Sequence, residues 1–378
     1  MNTHVSLRVR LLVWCTLVLG LSSCIETFEP DISNAPQSFL VVDGFLNSDG
    51  VTTIRLTRSL GLKAKTPPPV EAKATIFIEE EAGQRYPLTE TTAGTYVSAR
   101  LQLNPARKYR LHFNTRTGRE YVTDYTRAKF TPPIDEVAWE VENAGVRVLV
   151  STHDNTNQTQ YYRWDMDETW EFTSAYRSYY EYVNNKMQQR TVNIYRCWTS
   201  QPSGFIKLNT TTKLSQDVVA KYPLLTLPST SVKLRYKYSV LVKQYAQSVE
   251  EFAYWEALRK NTENIGTLFD PLPSQLTGNI HCLTDPSELV LGFIGAYSVQ
   301  EKRLFISRED LPAAWTFETG YENCVRPDTV NFINVSVSFT TANYLPLDFL
   351  EGRGYTAHYA DCIDCRRRGN NTPPAFWK

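Results

Sequence analysis

From Ser38 onward the chain alternates apolar and polar residues in short runs, each closed by a turn signal. That is the pattern of strands half-buried against a core. Phe39-Leu40-Val41-Val42 runs into Asp43-Gly44, and Asp49-Gly50 turns the chain into Thr53-Ile54-Arg55-Leu56-Thr57. Ala74-Thr75-Ile76-Phe77-Ile78 follows, closed by Ala82-Gly83. Gly94-Thr95-Tyr96-Val97, Tyr109-Arg110-Leu111-His112-Phe113 and Tyr121-Val122-Thr123 complete the series. Residues 38–131 are therefore expected to form an immunoglobulin-like β-sandwich.

Thr131-Pro132-Pro133 punctuates the chain, and a second β run occupies 132–312. Its strands are expected at Val137–Val141, Val146–Val150 and Tyr161–Phe172, with Leu289–Ile294 and Arg303–Ile306 closing it. The opening strands resemble those of a fibronectin type III sandwich, whose central strand carries a core aromatic. An insertion at about 176–285 interrupts this run and holds one helix. Ser248-Val249-Glu250-Glu251 reads as its capping box, with Val249, Phe252, Trp255 and Leu258 at helical spacing and Asn264-Ile265-Gly266 as the stop. Residues 313–378 are irregular apart from a strand expected at Val335–Phe339. The terminal Phe376-Trp377 is expected to dock, since each exposed aromatic would forgo ~1.5–3 kcal/mol of burial. The fold class is all-β: two immunoglobulin/fibronectin-like sandwiches with a long, partly helical insertion in the second.

The N-terminus has a different pattern. Arg8 and Arg10 precede the apolar stretch Leu11–Gly20, which is shorter than the ~20 residues that span a bilayer. Leu21-Ser22-Ser23-Cys24 resembles the bacterial lipobox, in which the thiol accepts a diacylglyceryl group and becomes the first residue. Residues 1–23 are thus expected to be a lipoprotein signal peptide and Cys24 the lipidation site. The tether 24–37 carries Glu26, Glu29 and Asp31, which resembles the surface-export signal of Bacteroidota lipoproteins. The chain has 40 Lys+Arg and 40 Asp+Glu; loss of Arg8 and Arg10 leaves 38 against 40, or −2, so no basic balance favours nucleic acid.

Of the cysteines, Cys15 leaves with the signal and Cys24 takes lipid. Cys197, Cys282, Cys324, Cys362 and Cys365 remain as disulfide candidates in an oxidising compartment. Cys362-Ile-Asp-Cys365 has the spacing of a redox or zinc half-site, with His358 upstream, but lacks a second CxxC or a βαβ setting. Structural disulfides are the preferred reading, with no metal and no cofactor. Cys197 and Cys282 flank the insertion and are expected to pair, with Cys324 joined to Cys362 or Cys365. A Cys362–Cys365 bridge is the competing outcome and would leave Cys324 free.

Catalysis finds little support. His112, His153, His281 and His358 sit in no HExxH, GxSxG or comparable frame. Asp165 and Asp167 share one face of a strand, as in any half-exposed strand. The candidate binding residues are instead tyrosines, Tyr176, Tyr179, Tyr180 and Tyr182, expected as an exposed face that gives large contact area at low entropy cost; on a strand the even-numbered members project together, which lets one face pack while the other stays free.

Several motifs, taken in order, resemble the family catalogued as domain of unknown function 4249. They are Val41-Val42-Asp43-Gly44, Gly94-Thr95-Tyr96, Lys108-Tyr109-Arg110-Leu111, Gly278–Pro286, Glu288–Phe293, Asp361–Gly369 and Pro374–Trp377. Gly369-Asn370 stands where the family's tail carries paired glycines. The resemblance implies a Bacteroidota outer-membrane lipoprotein, probable partner of a TonB-dependent β-barrel receptor, acting as a non-catalytic accessory or binding subunit at the cell surface. The alternatives are a surface hydrolase of glycan or peptide, and a purely structural envelope protein.

Overall fold

Ten strands build the first core in one sheet. In the computed structural model, which describes residues 38–377 apart from 62–63, 65, 143, 264–275 and 277, the chain is all-β with short helices. The lipobox, Cys24, the tether and the helix stop at 264–266 lie outside the described residues. Two compact units are distinguished. One comprises residues 1–38 and 60–65, of which a turn closed by Ala64 N–H on Gly61 O (2.9 Å) is described. The other, 39–59 and 66–378, holds every strand discussed below.

The first sheet runs Ile280–Cys282, Glu120–Thr123, Lys108–Asn114, Thr75–Glu80, Arg85–Thr92, Thr95–Gln102, Asp49–Arg58, Leu40–Gly44, Val290–Leu291, with Thr126–Arg127 also on Lys108–Asn114. Along Asp49–Arg58 every second residue is buried, so Ile54 and Leu56 meet Leu40, Ile76, Leu111 and Phe113 in one cluster. The two outermost strands correct an expectation. Leu289–Ile294 was expected to close the second sandwich, but Val290 pairs in parallel with Leu40, and Ile280 pairs with Thr123. Ile280, Cys282, Val290 and Ile294 then complete the first core. Two glycines permit this return. A Cβ on Gly292 (φ +124°) would stand 2.1 Å from Val42 O, and one on Gly278 only 1.6 Å from Gly292 O.

Two further sheets face one another across the second core. Ile134–Glu142, Gly145–Asp154 and Asp217–Pro228 form one; Arg196–Pro202, Tyr161–Thr173, Lys237–Ala246 and Val299–Ser307 form the other, with Lys207–Thr210 also on Tyr161–Thr173. Val146, Val148 and Val150 oppose Tyr162, Trp164, Met166, Val240 and Val242. Trp164 is the expected core aromatic: fully buried, its Nε1–H donates to Gln244 Oε1 at 2.8 Å. Four of these strands, Arg196–Pro202, Lys207–Thr210, Asp217–Pro228 and Lys237–Ala246, lie within the span read as an insertion. Asp165 and Asp167 point outward and pair with Arg163 (3.4 Å) and Lys243 (2.7 Å).

The helix Val249–Glu263 packs where the two cores meet. Ser248 Oγ accepts the Glu251 amide (3.1 Å), one half of the expected cap. The Glu251 carboxylate turns inward instead, accepting from Tyr297 Oη (3.0 Å) and Trp255 Nε1 (3.3 Å). Phe252 and Tyr254 rest on Tyr161 and Phe293.

His112 is a structural position, held between Glu79 (3.2 Å) and Glu120 (2.6 Å). Burial pushes the Glu79 carboxyl up, but Arg85, Arg110 and His112 outweigh it and hold its pKa down at about 2, against an ordinary 4.5. A carboxyl depressed by folding stabilises the protein above its unfolded pKa, and that contribution is lost as pH falls toward the folded one. The difference in melting temperature between wild type and Glu79→Gln is therefore expected to shrink from pH 4.5 down to about 2. A difference independent of pH would contradict this.

Candidate binding surface

The C-terminal residues build a third, smaller core. Its sheet is Asp328–Val330, Gly354–Tyr359, Tyr344–Leu350. The segment Val335–Ser338, expected as a strand, is a helical turn. Its Val-Ser alternation fits a strand, but Val335 and Phe339 are four apart and reach the same apolar cluster only in a helical turn. Phe339 and Val330 are buried there with Ala357, beside Tyr182, Met187, Tyr344 and Tyr355.

The four tyrosines converge on this module. Tyr180–Val183 and Lys186–Gln189 form a hairpin whose turn residues Asn184 and Asn185 adopt φ of 52° and 60°, as a tight hairpin turn requires. Tyr180 meets Tyr355 edge-on (5.4 Å), and Tyr182 lies 6.3 Å from Phe339. Tyr176 stacks on His358 (5.6 Å) and donates its hydroxyl to Val325 O (2.7 Å). Of the expected exposed face, the even-numbered rings are thus the packed side and only Tyr179 stays open. Tyr176, Tyr180 and Tyr182 are half-buried, because the even-numbered face packs on the third sheet. Tyr179 alone is exposed, at 49%.

The exposed apolar surface lies on the other side of those rings. Ile333 (90% exposed), Val337 (74%), Phe332 (51%) and Phe349 (42%) project from neighbouring segments. Phe332 lies 6.0 Å from Phe349 and 6.2 Å from Tyr355, so one aromatic layer runs from the surface to the hairpin. Isolated surface apolar residues need no explanation, but four this exposed on one small module form the candidate binding surface. Phe332, Ile333 and Val337 come from one stretch and Phe349 from the next strand, so the group forms only when the two meet.

One disulfide staples the module to the body, and a second closes a loop within the C-terminal residues. Cys197 pairs with Cys365 and Cys324 with Cys362. The expected Cys197–Cys282 bridge does not form: Cys282 sits in the first core beside Tyr121, while Cys197 lies in another cluster with Phe172, Tyr321 and Cys365. Cys282 is a buried free thiol, 3.3 Å from Thr284 Oγ1. The CxxC cysteines are thus divided between two bridges. Backbone bonds between Trp198 and Asn370 (2.8 Å each) hold the tail. Trp377 docks on Phe305 and Trp198, and Arg303 covers Phe376 at 3.5 Å.

These features define an all-β, disulfide-stapled protein of β-sandwich type with an aromatic C-terminal module. The chain belongs to the family described as domain of unknown function (DUF4249), whose model matches residues 25–303. The C-terminal module lies beyond that span. No curated protein matches the chain. Among solved structures it is similar to a two-domain fibronectin type III segment of chicken tenascin, at 8% identity and TM-score 0.17, covering 54% of this chain and 88% of that one. It is also similar to a DUF4785 family protein from Legionella pneumophila, at 8% identity and TM-score 0.20, covering 54% of this chain and 51% of that one.

Proposed function

We propose that the chain is a cell-surface lipoprotein, anchored through Cys24, that serves as a non-catalytic binding subunit of a TonB-dependent β-barrel receptor. The observation that carries this reading is the exposed apolar group Phe332, Ile333, Val337 and Phe349 on a module held to the body by one disulfide and closed internally by another. A rigid, partly aromatic surface loses little entropy on binding, which favours a docking role. The lipobox and the acidic tether favour the outer leaflet, and acyl chains bound there keep the module beside the membrane. The two sandwich-like cores serve as the scaffold that carries it.

Ile333 and Val337 contribute little to folding at their exposure, so their replacement separates docking from stability. The variant Ile333→Asp/Val337→Asp is expected to keep the wild-type melting temperature within about 2 °C, since surface changes are worth ~0.5 kcal/mol each. It is expected to lose the barrel partner when tagged protein is purified from solubilised outer membrane. Undiminished recovery of the barrel would move docking to another face.

A further inference from the structure

A second recess lies between the second core and the C-terminal module. It is a cleft of about 400 Å³, within the ~300–1,000 Å³ range of small-molecule sites. Trp170 and Phe172, from the end of the long strand Tyr161–Thr173, form one wall, and Tyr321 another. Thr199 and Gln201, on the same face of the sheet as Trp170, bring hydroxyl and amide groups to its edge, and Arg368 stands over the Tyr321 ring at 4.0 Å.

Three observations mark it as a built site. First, its walls are tied together by the Cys197–Cys365 bridge, the Trp198–Asn370 backbone pair and the bond from Glu318 N–H to Thr230 O (2.8 Å). Second, Tyr321 is 95% buried by its 5% exposure, and its hydroxyl has no hydrogen-bond partner. Third, among the described residues no carboxylate lines the cleft, whereas a guanidinium does. Buried polar atoms are rarely left unpaired without a reason.

We infer that this cleft is a subsite for a pyranose sugar. Its ring would stack on Trp170, its hydroxyls would meet Thr199 and Gln201, and the Arg368 guanidinium would donate to a sugar hydroxyl oxygen or a uronate carboxylate. Flat aromatic walls with a few convergent polar groups suit a ring whose faces are C–H and whose edges are hydroxyl. As a statement about cargo, the inference rests on the receptor-subunit reading above.

The test is calorimetric titration of the full-length lipidated chain in detergent. The probes are oligosaccharides of glucose, xylose, mannose, N-acetylglucosamine and galacturonate, with indole and adenosine as flat aromatic controls. At least one oligosaccharide is expected to bind, with affinity reduced more than tenfold in Trp170→Ala. Gln201→Arg blocks the mouth from an exposed position, guards against a folding defect, and is expected to act alike. Neutral and uronate probes distinguish the two forms of the sugar. Silence across the sugars at millimolar concentration, binding of the flat controls alone, or sugar affinity unchanged in both variants would overturn the inference. Gln201→Arg should still recover the barrel partner. A partner without sugar binding sinks the cleft alone, and sugar binding without a partner sinks the receptor reading alone.

Discussion

Replacing Cys197 and Cys365 together by alanine is expected to destabilise the protein by about 3–5 kcal/mol. The bridge spans a sequence separation of 168, the longer of the two. On the chain-entropy model such a loop is worth about 5 kcal/mol, and the Cys324–Cys362 loop, with a separation of 38, about 4 kcal/mol. Both sulfurs of the longer bridge are buried, beside Phe172 and Tyr321, so packing is lost as well. Denaturant titration of oxidised wild type and the double variant measures the difference. Hydrogen exchange should show Tyr344–Leu350 and Gly354–Tyr359 losing protection first, because the bridge ties their module to the body. A loss below about 1 kcal/mol would show that packing alone fixes the module.

The other large effect is expected at the joint between the first two cores. Arg163 is buried, its guanidinium held between the Tyr245 ring (4.5 Å) and the Trp255 ring (4.1 Å). Glu251 is buried beside it on the helix. Burial pushes the Glu251 carboxyl up, opposed by the charge of Arg163 and by bonds from Tyr297 and Trp255. Arg163→Met removes the cation and strands the carboxylate, at an expected cost of about 3–5 kcal/mol at pH 7. Replacing both residues by methionine is expected to recover much of that loss, since no uncompensated carboxylate is then left buried on the helix. The sign with pH follows from the raised carboxyl. The folded state favours its protonated form, so stability is lost as pH rises through the folded pKa, and the deficit of Arg163→Met should narrow on acidification. Melting temperatures of the three variants between pH 4 and 8 decide the matter; a deficit that widens in acid would contradict it.

What could be read from the residues was local. The alternation at Thr53–Thr57 and Tyr161–Phe172, the buried Trp164 and the Ser248 cap are all set by neighbours within a few positions. Lys237–Ala246 turns Tyr238, Val240 and Val242 inward, but it was not read as a strand, because it lies inside the span taken for an insertion. Asp217–Pro228 was obscured by Pro223, where the register against Gly145–Asp154 shifts. The return of Val290–Leu291 to Leu40 rests on a two-residue pairing, and no run that short names its partner. The glycines at 278 and 292 were its one available signal. Cysteine connectivity was beyond reach for the usual reason: spacing does not tell which core each thiol enters. The exposed apolar group was equally hidden, because Phe332 and Phe349 meet only after the third sheet has formed.

The account's central claim is that the C-terminal module docks on a TonB-dependent barrel in the outer membrane. A photo-crosslinking residue placed at Ile333 in the full-length chain, expressed at native abundance and irradiated in intact cells, tests it most directly. The expected result is one dominant adduct whose second chain is a TonB-dependent β-barrel, abolished when Val337 and Phe349 are changed to Asp. Adducts to lipid alone, or no adduct at all while Cys24 is lipidated and the chain is in place, would contradict the claim.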